Sequence, residues 1–224
     1  MSRLLPLLLA LAFPALAHAS AVWNSLPLAS AAVACLSLLL CWPLRTRPRV
    51  FGAALTAAGL LLAALAYLGH SHLPLLLPPV LFNAALGLYF ARSLKAGRVP
   101  LIERIVRAMN EGQVPHPDVP AYARRLTLLW AVLLLGLAAV NALLGLLATP
   151  QGLLHTLGFA PKPAVPLALW SMFANLLNYL IVAAVFLAEY AYRRRRFPQH
   201  DYGGFVGFLR RVAGLGPAFW RSGA

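Results

Sequence analysis

Apolar runs of about the length that crosses a lipid bilayer dominate this sequence. An α-helix needs roughly 20 apolar residues to cross the hydrocarbon layer, and the apolar runs are close to that length. Only 11% of the residues are charged, whereas soluble domains usually carry about 25%. The sequence therefore predicts an all-α fold, a single polytopic membrane helical bundle with about six transmembrane helices. We place the spans at residues 4–19, 26–44, 50–69, 74–92, 126–148 and 167–190.

The first run also has features of a secretory signal peptide. Arg3 precedes it, and Ala17-His18-Ala19 resembles a signal-peptidase site. Cleavage there would leave five spans, whereas retention gives six. We favour retention, because a protein with several spans in an inner membrane does not need the cleavage step.

The positive charges predict how the chain is oriented. The sequence has 19 lysines and arginines against five acidic residues. If the N-terminus is cytoplasmic, the start of the chain, 45–49, 92–125 and 191–224 share that side, and they hold every lysine and arginine except Lys162. Cytoplasmic loops of membrane proteins are enriched in these residues. We therefore expect a multi-pass protein of the bacterial inner membrane with both termini in the cytoplasm.

The net charge of +14 would suggest a nucleic-acid partner in a soluble protein. Here the basic residues lie at the ends of apolar runs, where membrane topology and anionic lipids explain them. We therefore expect anionic lipids, and no nucleic acid, at this face. The same face is suited to an acidic protein, such as acyl carrier protein, or to soluble synthases. Its principal residues are Arg124, Arg125, Arg193, Arg194, Arg195 and Arg196.

Two segments outside the spans have amphipathic patterns. One lies in the cytoplasmic loop 93–125 and the other in the basic tail 191–224. An apolar stripe beside arginines is typical of a short helix that lies at the membrane interface. The stripes are Leu101, Ile102, Ile105, Val106 and Met109 in the loop, and Phe205, Phe208, Leu209 and Val212 in the tail.

The last apolar run carries a line of polar side chains. Ser171, Asn175, Asn178 and Glu189 fall on one face at helical spacing, and Val182 and Val185 lie between them. Unpaired polar groups in hydrocarbon are costly, so this face should point into protein or a wet cavity.

Two further asparagines, Asn83 and Asn141, lie in other spans. One interpretation is a polar pocket shared with Asn175 and Asn178. The other is that the amides join helices by hydrogen bonds, at roughly 1 kcal/mol each.

Glu189 is the only acidic residue inside a predicted span. It is a candidate proton relay or general base in a cavity. The alternative is an ion pair with Arg193, four residues later on the same helix.

The sequence contains no phosphate-binding loop, zinc signature or nucleophile motif. Cys35 and Cys41 lie in one apolar run without metal-ligating companions, and are interpreted as packing residues. His70 and His72 have no nearby cysteine or acidic residue to complete a metal site. We therefore predict no metal, no cofactor and no catalytic residue.

Two blocks of the sequence carry a family resemblance: residues 100–105 with 119–130 and Asn141-Ala142, and residues 173–180 with 186–190 and the arginines that follow. They are similar to a family of small multi-span bacterial membrane proteins. Members are typically encoded in aryl-polyene or xanthomonadin-type pigment gene clusters, beside ketosynthases, acyl carrier proteins and a lipid exporter. Some members carry a ketosynthase label, but this chain lacks the length, the polarity and the Cys-His-His arrangement of a thiolase-fold condensing enzyme.

The resemblance implies a pathway rather than a reaction. We expect an inner-membrane accessory or scaffold protein of aryl-polyene lipid pigment biosynthesis, whose polar line helps to form a groove for the lipid-linked product. The alternatives are a component of transport or flipping of the polyene lipid, and a membrane acyl or glycosyl transferase. The few scattered acidic residues of the sequence favour the last alternative least.

Overall fold

The computed structural model describes residues 4–70 and 72–197, together with Gly214 and Phe219, and the fold is 79% helix and 2% strand. The chain divides into two compact units: Met1–Val80 with Ala139–Leu180, and Leu81–Ala138 with Ile181–Ala224. The helices are α1 Leu4–Val22, α2 Leu26–Cys41, α3 Pro48–Tyr67, α4 Leu77–Ser93, α5 Leu101–Met109, α6 Val119–Leu147, α7 Leu153–Thr156, α8 Leu167–Met172 and α9 Asn178–Arg196, with a π-helical segment, Phe173–Leu177, between α8 and α9.

In this described part, four helical segments are long and apolar enough to cross a membrane. They are Pro48–Tyr67, Leu73–Ser93, Val119–Leu147 and Leu167–Arg196, and they match the last four predicted spans. The first two predicted spans form shorter apolar helices, so the predicted six spans are not confirmed.

Proline explains why the second apolar helix is short. α2 ends at Cys41, and the chain tightens into a 3₁₀ turn over Trp42–Thr46 that contains Pro43. Proline has no N–H to donate to the preceding turn, so it favours the start of a new turn over continuation of the helix. The predicted span 26–44 included these residues because its boundary followed apolarity alone.

Small residues bring α1 and α2 close together in the first unit. Ala17 of α1 and Ala29 and Ala32 of α2 are at most 2% exposed, and they form one cluster with Val33 and Leu75. α1 continues through the candidate cleavage site, and Ser20 there is completely buried.

A compact connection between α6 and α8 was not predicted from the sequence. Ala148–Thr149 and Val165–Pro166 form two short parallel strands, β1 and β2. The Thr149 hydroxyl also donates to the carbonyl of Val165, and the Gln151 amide donates to Asn24 Oδ1 at 3.0 Å. These hydrogen bonds order the connection and attach it to the turn after α1.

The predicted helix of the loop 93–125 is present as α5, but its apolar side packs on protein. Leu101 and Ile105 are buried, and Ile102 packs against the cluster that contains Leu126 and Trp130. The backbone N–H of Leu101 donates to Ser93 Oγ, which satisfies one of the free donors at the start of the helix. The predicted helix of the tail, at Phe205, Phe208, Leu209 and Val212, lies outside the described residues.

Gly87 allows a close approach between α4 and α6 in the second unit. A Cβ at this position would lie 2.8 Å from Leu135 Cγ and 3.0 Å from the Leu135 backbone nitrogen. The contact involves main chain, so a side-chain rotation alone cannot relieve it. Gly136 is in the same unit, and a Cβ there would meet nothing within 4 Å.

We predict that Gly87→Ala lowers the free energy of unfolding by about 1–3 kcal/mol, because it overpacks this contact. Gly136→Ala is the matched control, and it should raise stability by up to about 1 kcal/mol, because alanine is the better helix former. Thermal unfolding of both variants in detergent measures the difference. Equal shifts of the two midpoints would contradict the close contact.

Candidate functional site

The polar line of the last helix lies on its protein-facing side. Ser171 and Asn178 are 0% and 5% exposed, whereas Asn175 and Glu189 are partly buried. Neighbouring apolar residues such as Leu176 and Leu180 are more than half exposed. The protein thus covers the polar groups and leaves the apolar face of this helix open to its surroundings.

The helix is not regular where the polar line begins. Phe173–Leu177 is π-helical, and Asn175 lies in the middle of it. A π-helical turn is wider than an α-helical turn and is frequently found at functional sites. Spacing at 3.6 residues per turn could not predict this feature.

Ser171 is the centre of a hydrogen-bonded group in the first unit. Its Oγ lies 3.1 Å from His18 Nδ1 of α1 and accepts from Asn175 Nδ2 at 3.0 Å. The sequence pattern indicated His18 only as part of a candidate cleavage site. The sequence nevertheless contained an indication of a polar contact, because His18 is the only titratable residue within the first apolar run.

The asparagines do not all fall in one place. Asn141 Nδ2 donates to Asn178 Oδ1 at 3.5 Å in the first unit, whereas Asn175 donates to Ser171. Asn83 is also buried, but it belongs to the second unit. Within the first unit, the amides therefore act as paired hydrogen-bonding groups that connect α6 with α9 and Ser171 with the π-helical segment.

Glu189 is held from two sides in the second unit. The Tyr122 hydroxyl donates to Glu189 Oε1 at 2.8 Å, and Arg193 Nε lies 3.2 Å from the same oxygen. The side chains of Glu189 and Arg193 are 9% and 10% exposed. The ion pair that the spacing of these residues predicted is thus present, and Tyr122 adds a long-range partner that the spacing could not indicate.

Aromatic rings surround a second ion pair at this end of the unit. Arg196 pairs with Asp118, and the Tyr122 ring stacks on that of Tyr192 with centroids 6.1 Å apart. Phe197 packs edge-on against Tyr122 and His116. The end of α9 is therefore fixed against the start of α6.

Five of the six predicted surface arginines are exposed, and four of these form no ion pair with an acidic residue of the described part of the chain. These four are Arg124 and Arg125 on α6, and Arg194 and Arg195 on α9. The other two predicted surface arginines form ion pairs, the buried Arg193 with Glu189 and the exposed Arg196 with Asp118, and Arg124 donates to the carbonyl oxygen of Leu94. We refer to Arg124, Arg125, Arg194 and Arg195 as the arginine surface.

The described residues contain no group of three or more His, Cys, Asp or Glu side chains that could hold a metal ion. His72, just before the fourth apolar helix, is 2% exposed. Burial lowers the pKa of its imidazole, which favours the neutral ring.

Comparison with protein-family models, curated proteins and solved structures gives no match to this chain.

We predict that Arg193→Met lowers the free energy of unfolding by about 3 kcal/mol, because it leaves Glu189 as a buried charge without its ion-pair partner. Replacing both residues with methionine should cost less than the single change, since no isolated charge remains. Arg194→Met, at an exposed position, should stay within about 0.5 kcal/mol. Chemical denaturation in detergent measures all three variants. A double variant at least as unstable as Arg193→Met would contradict the energetic coupling between Glu189 and Arg193.

Proposed function

We propose that this chain is an inner-membrane accessory protein of aryl-polyene lipid pigment biosynthesis, of the xanthomonadin type, that holds acidic pathway proteins at the bilayer. Its arginine surface faces the cytoplasm and binds acyl carrier protein or the soluble synthases that work with it. The pathway assignment rests on the sequence resemblance of the two blocks. The docking role rests on the arginine surface.

The paired acids are the observation that carries the docking role. Glu103, Asp118 and Glu189 each form an ion pair with an arginine of the second unit. These pairs hold the acids beside their own arginines and leave the arginine surface exposed. Guanidinium groups bind carboxylates and phosphates through paired hydrogen bonds, which suits an acidic partner.

The same surface has two features that suit docking. Its arginines extend from the ends of α6 and α9, which Tyr122, Tyr192 and Phe197 hold together through ring contacts. A surface fixed in this way loses less conformational freedom when a partner binds. Clustered positive charge also raises the association rate of an acidic partner.

Transport of the polyene lipid is the second candidate. A proton-coupled transporter would use Glu189 as its intramembrane acid. In this structure the Glu189 carboxylate already accepts a hydrogen bond from Tyr122 and forms an ion pair with Arg193. These contacts favour a structural role for the carboxylate over a role in proton transfer. We therefore favour the docking role.

We predict that Arg194→Glu/Arg195→Glu weakens the binding of an aryl-polyene acyl carrier protein at least tenfold, because it replaces attraction with repulsion. Binding of the purified chain in lipid nanodiscs is measured at 50 and 500 mM salt, and the high salt should weaken the wild-type complex because it screens the charges. The matched control is Arg47→Glu/Arg49→Glu, which changes the net charge equally at two other exposed arginines.

The control should change the affinity less than threefold. If both double variants weaken the binding of acyl carrier protein equally, the partner is attracted by the net charge of the chain and not by the arginine surface. Unchanged binding in the Arg194→Glu/Arg195→Glu variant would exclude the arginine surface as the docking site.

A further inference from the structure

The hydrogen-bonded group of His18, Ser171 and Asn175 has unused hydrogen-bonding capacity in apolar surroundings. Ser171 is completely buried, whereas His18 and Asn175 are only partly buried. All three belong to the first unit, whereas the arginine surface belongs to the second. The following inference is therefore independent of the docking role.

The hydrogen bonds of the Ser171 hydroxyl decide which donor and acceptor atoms His18 and Asn175 can offer to a ligand. Ser171 Oγ accepts from Asn175 Nδ2, and its single proton can be donated to His18 Nδ1. With Nδ1 as the acceptor, the imidazole carries its proton on Nε2, which becomes a donor. Asn175 keeps its Oδ1 as an acceptor. One donor and one acceptor thus stand on either side of the same buried hydroxyl.

This group lies about one turn from the ends of the helices that carry it. Ser171 is four residues after Leu167, where α8 begins, and His18 is four residues before Val22, where α1 ends. At a rise of 1.5 Å per residue, both lie about 6 Å from the end of their helix. If the first and last predicted spans cross the bilayer, a polar group at that position lies near the edge of the hydrocarbon layer, where little water is available to it.

Apolar residues beside Asn175 provide a surface for a hydrocarbon chain. Met172 and Leu176, on the same helix, are 37% and 51% exposed. The π-helical turn carries Asn175 between them. A molecule with a polar head at Asn175 and a long apolar tail would therefore meet suitable chemistry at both ends.

We propose that His18, Ser171 and Asn175 bind the hydroxyl head of a long-chain amphiphile. A hydroxyl both donates and accepts, so it can donate to Asn175 Oδ1 and accept from His18 Nε2. Ser171 is a positioning residue, because it orients both partners without itself being accessible. The tail lies along Met172 and Leu176.

Photo-crosslinking tests this site on the full chain purified in detergent. The probe is a 16-carbon alcohol with a diazirine in mid-chain and a terminal alkyne, and the matched probe carries a hydrogen in place of the hydroxyl. We expect the alcohol to label residues 167–180 at least fivefold more than the matched hydrocarbon. This ratio corresponds to about one hydrogen bond, or about 1 kcal/mol.

The His18→Phe and Ser171→Ala variants should each reduce labelling by the alcohol about fivefold. Ser20→Ala is the matched control, because Ser20 is a fully buried serine whose hydroxyl donates within its own helix to Ala17. Its labelling should stay within twofold of the wild type. Equal labelling by the two probes, or full labelling of both His18→Phe and Ser171→Ala, would overturn the proposal.

Competition on the wild-type chain keeps the test decisive if a variant fails to fold. Unlabelled hexadecanol should displace the alcohol probe at a concentration at least fivefold lower than hexadecane does. Equal displacement by the two competitors would mean that the chain recognises only the tail, and the hydroxyl site would be wrong.

Discussion

Polar groups in apolar helices must find partners inside the protein, and this constraint organises the structure. Ser171 and Asn178 are buried, Ser171 lies between His18 and Asn175, and Asn178 accepts from Asn141. The His18–Ser171 hydrogen bond connects α1 with α8, and the Asn141–Asn178 hydrogen bond connects α6 with α9, at positions that apolar contacts alone would not fix. In hydrocarbon, one helix gains little from hiding leucine against another, so hydrogen bonds and close packing of small residues decide which helices pair.

The same constraint acts on charge at the arginine-rich end of the second unit. Glu189 lies beside Arg193 and Tyr122, and Asp118 pairs with Arg196. Pairing satisfies the acids and fixes the ends of α6 and α9. Arg194 and Arg195 remain exposed beside these pairs. The proposed docking role therefore depends on ion pairs that first complete the fold.

Much of the fold follows from the length and spacing of apolar residues. The length of the apolar runs was enough to predict the last four long apolar helices. Helical spacing was enough to indicate the ion pair of Glu189 with Arg193. Local chemistry altered the rest: Pro43 ends α2 early, and a π-helical segment interrupts the last span. Neither effect changes apolarity, so a pattern of apolar residues does not reveal it.

The contacts of the candidate sites were harder to predict because their residues are far apart in the chain. Asp118 and Arg196 are 78 residues apart, and His18 and Ser171 are 153 residues apart. Spacing on one helix says nothing about such pairs. The residue type of His18 was informative nevertheless, since a histidine inside an apolar run needs a hydrogen-bonding partner when the protein buries it.

The pigment content of separated inner and outer membranes, in cells that lack this gene, tests the proposed function most directly. An accessory protein that assembles the synthases at the bilayer predicts loss of pigment from both membranes. Accumulation in the inner membrane alone would instead indicate transport. Normal amounts in both membranes would contradict the assignment to pigment biosynthesis.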